Sequence, residues 1–340
     1  MFFKILNKEA RKFNLFETTL KSLESILRTK KPKRVVVAFS GGKDSTALLF
    51  LTSAVLANTG IPLTVITVDT LVENFVIRDH IKNFFDQFRK LVDNEIPCEI
   101  EILTPELEFT YWVCIIGRGY PAPTPWFRWC QRHLKMKPVF KFLRKLAEKE
   151  NFILLTGHRL SESSERTRIL KNRVTEMRIY NKNGKYPQYA PLLYWHDLDV
   201  WNFLFLCGRE DVACLYKEAR GECPLVSLAP KSHPYSARFG CWVCTVVRKD
   251  RSLENQAENN AVFKNLLEFK EWLRIFTSLP QNRTGYNRRG KYVGYGKGTL
   301  TIKARKKILS SLLELQKKLQ LNLISDRELD IIMTLLHNNK

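Results

Sequence analysis

The sequence lacks any apolar run near the ~20 residues that cross a bilayer; its longest mostly apolar stretch, residues 47–57, is far too short. A membrane-spanning helix is therefore not expected. The N-terminus also lacks the layout of a secretory signal, because Lys4, Lys8, Glu9 and Arg11 are mixed with the apolar residues from the fourth position on. Without such a signal, eight cysteines do not read as a disulfide framework but as reduced thiols, some available to a metal. Internal repeats and low-complexity tracts are missing too, which excludes a repeat architecture. A cytoplasmic protein is expected.

Acidic residues are scarce in two places. None lies between Glu108 and Glu148, where eight Lys and Arg stand, and none between Glu271 and Glu314, where ten do. The formal charge of +22 is thus regional rather than uniform, with basic stretches at 109–147 and 272–313. A uniform bias would not spare acids so locally, and a polyanion such as DNA or RNA fits the pattern.

With 340 residues the chain has room for a full α/β core and a smaller second unit. What organises it is Val35-Val36-Val37-Ala38-Phe39 followed by Ser40-Gly41-Gly42-Lys43-Asp44-Ser45 and a small, apolar, helix-favouring run at 46–57. A buried strand, a glycine turn and a helix start form an anion-binding design. The glycines admit close backbone approach, and the first-turn N–H groups point outward with the positive end of the helix dipole. Lys43 adds a cation, and Ser40 and Ser45 add hydroxyl donors. The adjacent glycines exclude a Walker A loop, and G-x-G-x-x-G is not matched either.

Further along, residues 1–30 read as helical, 63–68 as a second strand ending at Asp69, 81–92 as a helix, 98–103 as a third strand and 152–156 as a fourth. Strand, crossover and strand imply a parallel sheet, which binds ligands at the carboxyl ends of its strands. That placement makes Asp69 and Glu73 candidates to serve a nucleotide through Mg²⁺ or its nucleoside. A helix cap from Asp69 or Thr70 is the structural alternative. The Pro- and Gly-rich stretch 117–125 reads as a loop delivering Trp126-Phe127-Arg128-Trp129-Cys130. Its alternating aromatics and guanidinium groups suit stacking on bases and pairing with phosphates. Gly157, Arg159 and Arg166 follow the fourth strand, the two arginines as candidate phosphate contacts with Glu162 able to orient one of them. The segment 197–201 reads as an architectural helix start.

Cys241-Trp242-Val243-Cys244 is the one C-x-x-C. Cys223 lies upstream and Cys130 sits in the basic loop. Dispersed partners for a single pair favour an iron–sulfur cluster over zinc, whose sites more often use two such pairs. Cys98, Cys114, Cys207 and Cys214 read as core residues.

Taken together, the motifs at 40–45, 69–74, 117–120, 127–130, 157–166, 222–226, 238–247 and from 323 on resemble the DndC-type proteins of DNA phosphorothioate modification, within the PAPS-reductase-like PP-loop group. That resemblance implies a doubly wound, mostly parallel α/β sheet with a smaller, cysteine-bearing helical C-terminal unit. The divisions expected are a helical lead-in at 1–32, a PP-loop ATP-binding domain at 33–205 and a C-terminal region at 206–340. It implies cleavage of ATP to AMP and pyrophosphate. Ser40, Gly41, Gly42, Lys43, Asp44, Ser45, Asp69, Glu73 and Gly157 would bind ATP and Mg²⁺. Lys43, Asp44, Arg128, Arg159 and Arg166 would carry the chemistry on a DNA phosphate oxygen. It further implies a [4Fe-4S] cluster on Cys130, Cys223, Cys241 and Cys244, sulfur from a cysteine desulfurase, and work alongside other DNA phosphorothioation proteins. Relatives carry another Cys where this chain has Lys231-Ser232-His233-Pro234, which leaves the fourth ligand open between Cys223 and His233. A sulfonucleotide reductase, a tRNA thiolation enzyme and a zinc-dependent DNA-binding protein are the other classes; the first usually ends in a catalytic Cys tail that His337-Asn338-Asn339-Lys340 does not provide.

Overall fold

Three consecutive valines set the centre of the computed structural model. Val35 and Val37 face one apolar cluster and Val36 another, as the two-residue period of a strand requires, and all three are fully buried. The structure describes residues 1–162, 174–175, 178–179, 186–220, 240–247 and 249–338. Its elements begin with helices α1 (Phe2–Ala10) and α2 (Asn14–Lys30), strand β1 (Arg34–Ala38), α3 (Lys43–Leu56), β2 (Leu63–Val68), α4 (Phe75–Val92), β3 (Cys98–Leu103), α5 (Lys137–Lys149) and β4 (Phe152–Leu155). Short strands β5 (Val174–Thr175), β6 (Arg178–Ile179) and β7 (Gln188–Tyr189) follow, and then helices to the end.

The sheet order is β3-β2-β1-β4-β7-β6-β5. Its first five strands run parallel, and β6 and β5 add an antiparallel edge. This is the doubly wound α/β sheet read from the sequence, with a largely helical C-terminal region after it. One face is covered by α1, α2, α3, α4 and the helix Asp197–Leu206, the other by α5. Every residue of α3 except Asp44 is buried, so this helix is enclosed all round rather than packed along one face. Among the described residues no helix is long and apolar enough to cross a membrane.

Local details depart from the sequence reading. The first thirty residues form two helices, because Phe13 turns to an extended conformation before α2 and packs on Phe16. Helix α3 starts three residues earlier than expected, at Lys43. Helix α4 starts at Phe75, where the Asn74 side chain accepts the Val76 N–H at 3.0 Å; Asn74, not Asp69 or Thr70, is the cap. The fifth parallel strand was not foreseen, since only two residues of it pair.

A second core joins residues 111–134 to the C-terminal helices. The Trp112 indole N–H donates to the Leu323 carbonyl at 2.8 Å, and the Tyr111 hydroxyl to the Val243 carbonyl at 3.1 Å. Buried polar tips thus find partners far along the chain while the rings fill the core.

Candidate functional site

The loop between β1 and α3 lies at the carboxyl end of the sheet. Gly41 has φ +75°, and a Cβ there would stand 2.6 Å from Ile81 Cγ1, so both conformation and space require glycine. Gly42 is the N-cap of α3. The Ser45 hydroxyl donates to the Gly42 carbonyl at 2.9 Å and accepts the Ser40 N–H at 3.2 Å, which ties the turn shut. On the neighbouring strand, a Cβ on Gly157 would come within 3.1 Å of the Asp44 carbonyl group, so glycine lets the end of β4 abut the first turn of α3.

That approach assembles a cluster of two cations and two anions. Lys43 Nζ stands 3.1 Å from both Asp44 Oδ2 and Asp197 Oδ1. Arg159 Nε stands 2.6 Å from Asp44 Oδ1, and its Nη2 pairs with Asp197. Its Nη1 donates to the Ser161 hydroxyl and the Trp195 carbonyl at 2.9 and 3.2 Å. Arg159 is 1% exposed. Burial opposes the Lys43 charge, but Asp44, the Tyr216 oxygen and Asp197 more than offset it, and its pKa is raised above the ordinary lysine value. Burial likewise opposes ionisation of Asp197, yet Lys43 and Arg159 hold its carboxyl below the ordinary value.

Two members of this site were missed by sequence reasoning. Asp197 was read as helix architecture, and it does begin the helix Asp197–Leu206, but its carboxylate completes the charge cluster. Tyr216, on the helix Glu210–Arg220, accepts the Lys43 backbone N–H at 3.3 Å. No local signal marks a tyrosine in an ordinary helix; an Asp opening a helix after a parallel strand was the one available cue.

Asp69 lies past the end of β2, whose pairing with the first loop residue, Phe39 N–H to Ile66 carbonyl at 2.8 Å, sets the two ends side by side. One Asp69 oxygen accepts the Leu71 N–H at 2.8 Å. Glu73 accepts the Thr70 hydroxyl at 3.1 Å, pairs with Lys135 at 3.4 Å, and bridges Cys241 through its backbone. A cavity of about 230 Å³ beside Ile81 is lined by Asp69, Glu73, Arg78, Phe85 and Ile102 among others.

The C-x-x-C turn is pinned to the 72–74 segment, with Trp242 N–H on the Val72 carbonyl at 3.1 Å and the Thr70 hydroxyl 3.4 Å from Cys241 Sγ. Burial pushes the Cys130 and Cys241 thiols up, reinforced by Cys244 at Cys130 and by Glu73 at Cys241. Burial also raises the Tyr111 phenol, with smaller contributions from Cys130, Cys244 and Cys241. Even so, among the described residues no group of three His, Cys, Asp or Glu side chains is placed to hold a metal ion. Cys223, His233 and Arg166 lie outside the described residues, as does the Glu162 side chain. Cys114 and Cys207 are buried as expected, whereas Cys214 faces solvent because it sits on the outer side of its helix. Arg128 is exposed and donates to the Pro125 carbonyl at 3.2 Å within its own loop. Trp126 is 96% exposed, while Trp129 is buried against Tyr111 and Tyr120.

Residues 34–247 match the family profile described as phosphoadenosine phosphosulfate reductase domain. Two uncharacterized proteins of Methanocaldococcus jannaschii are similar to the chain. One is 29% identical over 219 residues, covering 64% of this chain and 37% of its own length. The other is 28% identical over 169 residues, covering 50% and 35%. The chain therefore spans little more than a third of the length of these curated relatives. Among solved structures, FMN adenylyltransferase of Candida glabrata with ATP is similar at 13% identity and TM-score 0.43, over 65% of this chain and 68% of that one. The U34-tRNA thiolase NcsA of Methanococcus maripaludis with its [4Fe-4S] cluster is similar at 15% and 0.37, over 77% and 78%. Phosphoadenylyl-sulfate reductase of Candida auris is similar at 16% and 0.37, over 60% and 84%.

Proposed function

The chain belongs to the phosphoadenosine phosphosulfate reductase domain family, and from that premise we propose that it is an ATP pyrophosphatase that activates a phosphate oxygen of DNA for replacement by sulfur. The observation that carries this reading is the closed loop of Ser40, Gly41, Gly42 and Ser45 at the start of a buried helix, with Lys43 beside it. Such a helix start offers N–H donors and a cation to a diphosphate.

In this proposal the pyrophosphate of ATP lies along residues 40–45, and the adenosine half extends toward Asp69 and the cavity beside Ile81. A non-bridging oxygen of the DNA backbone attacks the α-phosphorus. The new O–P bond forms as the bond to the β-phosphate bridging oxygen breaks, and pyrophosphate leaves onto the loop. Lys43 exchanges its carboxylate partners for the departing phosphates, while the buried Arg159 holds Asp44 and Asp197 in place as it does so. Only Lys43 changes partner; the Arg159, Asp44 and Asp197 charges are fixed before the reaction, so the site needs little reorganisation to stabilise the transition state. A sulfide-level sulfur then attacks the DNA phosphorus and displaces AMP, with no net change in oxidation state. Mg²⁺ held by Asp69 and the phosphates would neutralise the leaving group. A [4Fe-4S] cluster, which Cys130, Cys241, Cys244 and a fourth ligand would hold, would supply a place for that sulfur; a cysteine desulfurase would be its source, with a dithiol reductant supplying the two electrons that bring its persulfide sulfur to the sulfide level, and other phosphorothioation proteins would be partners.

Incubation with ATP and DNA, followed by separation of nucleotides, tests the reading. Release of AMP and pyrophosphate by the wild type, lost in Lys43→Ala with folding intact, supports it; pyrophosphate release at the wild-type rate in that variant sinks it. The family profile itself favours one alternative, a sulfonucleotide reductase. Sulfite release from phosphoadenylyl sulfate without ATP would identify that activity instead.

A further inference from the structure

The two acid-free stretches, far apart in sequence, are rooted at one place. The Leu300 N–H donates to the Gly119 carbonyl at 2.7 Å, and Arg305 Nε to the Ile116 carbonyl at 2.6 Å. The Arg288 guanidinium lies 4.3 Å over the Tyr120 ring. On the same base, Phe109 and His133 stack with centroids 4.8 Å apart, and Arg118 and Lys137 lie 4.6 and 4.2 Å from the Phe109 centroid. His133 feels the charges of Lys137, Arg132, Arg288 and Arg118 together. Three cations, Arg118, Lys137 and Arg288, therefore converge on one aromatic base.

From that base two arms project. One is the loop carrying Trp126. The other is the 284–299 hairpin, closed by the Tyr286–Tyr292 bridge and bearing exposed Arg289, Lys291 and Lys297. Among the described residues, the pair of Arg118 with Glu108 at 3.1 Å is the one ion pair that any of these cations makes. Uncompensated like charges held this close destabilise the folded chain unless a polyanion neutralises them. The aromatics narrow the choice of polyanion. Trp126 is 96% exposed, Tyr295 77% and Tyr292 60%. An acidic protein surface would satisfy the cations but give an exposed tryptophan nothing to stack on, and the bases of a duplex are already stacked on one another. Unpaired bases offer free faces, and base–aromatic stacking beside a cationic track is how single strands are held.

We infer that the Trp126 loop and the 284–299 hairpin form one binding surface for a single-stranded polynucleotide, its phosphates on the converging cations and its bases on Trp126 and Tyr295. The inference rests on the polynucleotide substrate proposed above and adds that the strand is presented unpaired. It does not depend on the ATP chemistry.

The test is fluorescence anisotropy of the full chain with labelled oligonucleotides of about 20 nucleotides, a length that spans more than one stacking site, as single-stranded DNA, single-stranded RNA and duplex DNA, without ATP. The single strands bind at least tenfold more tightly than the duplex, and whether DNA or RNA leads identifies the source. Trp126→Ala and Tyr295→Ala each weaken single-strand binding about tenfold and leave duplex binding unchanged. The triple change Arg289→Ala, Lys291→Ala and Lys297→Ala lowers the slope of log affinity against log salt by about 2. A duplex that binds as tightly as the single strands, or aromatic variants that bind like wild type, overturns the inference. Oligonucleotide binding as expected, together with no pyrophosphate release when ATP is added with the oligonucleotide, would instead sink the phosphate-loop reading and leave this surface standing.

Discussion

The phenol oxygen of Tyr216 accepts the backbone N–H of Lys43 at 3.3 Å, although the two residues lie 173 positions apart. That N–H belongs to the first turn of α3, the group an anion at the loop would claim. A side chain from a distant helix thus occupies a donor that the local sequence assigns to phosphate.

Replacing Tyr216 by Phe leaves this buried N–H without its acceptor and is expected to cost about 1 kcal/mol. Pyrophosphate supplies the missing acceptor. Thermal denaturation with and without pyrophosphate is therefore expected to show a larger ligand-induced shift for Tyr216→Phe than for wild type. Equal shifts would mean that the anion does not reach the Lys43 N–H.

The charge cluster predicts coupling. Asp197→Asn leaves Lys43 and Arg159 sharing one carboxylate and is expected to destabilise the chain by about 1–2 kcal/mol, at the low end for a buried pair because Asp197 is partly open to solvent. Arg159→Met leaves both carboxylates sharing Lys43 alone and removes the more deeply buried cation, so it costs more, about 3 kcal/mol. Together the two changes should cost less than their sum, since each relieves the imbalance left by the other. Denaturant titration of the four proteins measures this; strict additivity would show that the four groups act independently.

Gly157→Ala places a Cβ 3.1 Å from the Asp44 carbonyl carbon and oxygen, neither of which is a flexible side-chain end. The strand or the helix start must give way, at about 1–3 kcal/mol. Because the strain falls on the phosphate loop, ATP turnover should drop more than stability does. Steady-state kinetics beside a melting curve distinguishes this from simple unfolding.

Burial, then Lys137, Arg132, Arg288 and Arg118, lowers the His133 pKa from 6.5 to about 4. The folded state therefore binds this proton less readily than the unfolded chain. The His133 contribution to stability is fully present above the ordinary histidine value and is lost as pH falls from there through about 4. His133→Phe keeps a ring to stack on Phe109 and removes the titration. Urea midpoints across that window should fall less steeply for the variant; parallel profiles would assign the acid sensitivity to other groups.

The strands were legible because their signal is local. Residues 63–68 and 98–103 emerge as β2 and β3 with the bounds their apolar pattern indicated, and β4 with one residue fewer. The glycine turn was legible for the same reason, since only glycine fits the positive φ of Gly41. The edge strands β5, β6 and β7 were not, because two-residue strands carry too little pattern to stand out from loop. What holds Glu73 was not legible: past the strand end, the contacts with Lys135 and Cys241 position it beside the cavity it shares with Asp69.

By itself, then, the order of residues determined a parallel α/β sheet, a phosphate-type loop at its carboxyl edge and two basic stretches free of acids, because each depends on neighbours a few positions apart. Only the tertiary structure decided that Asp197 and Tyr216 close on Lys43, that the C-x-x-C turn packs on the 72–74 segment, and that the two basic stretches share one root at Tyr120. Those arrangements are contacts between segments brought together by burial of the sheet and of the second core. No periodicity along the chain encodes which distant side chains will meet.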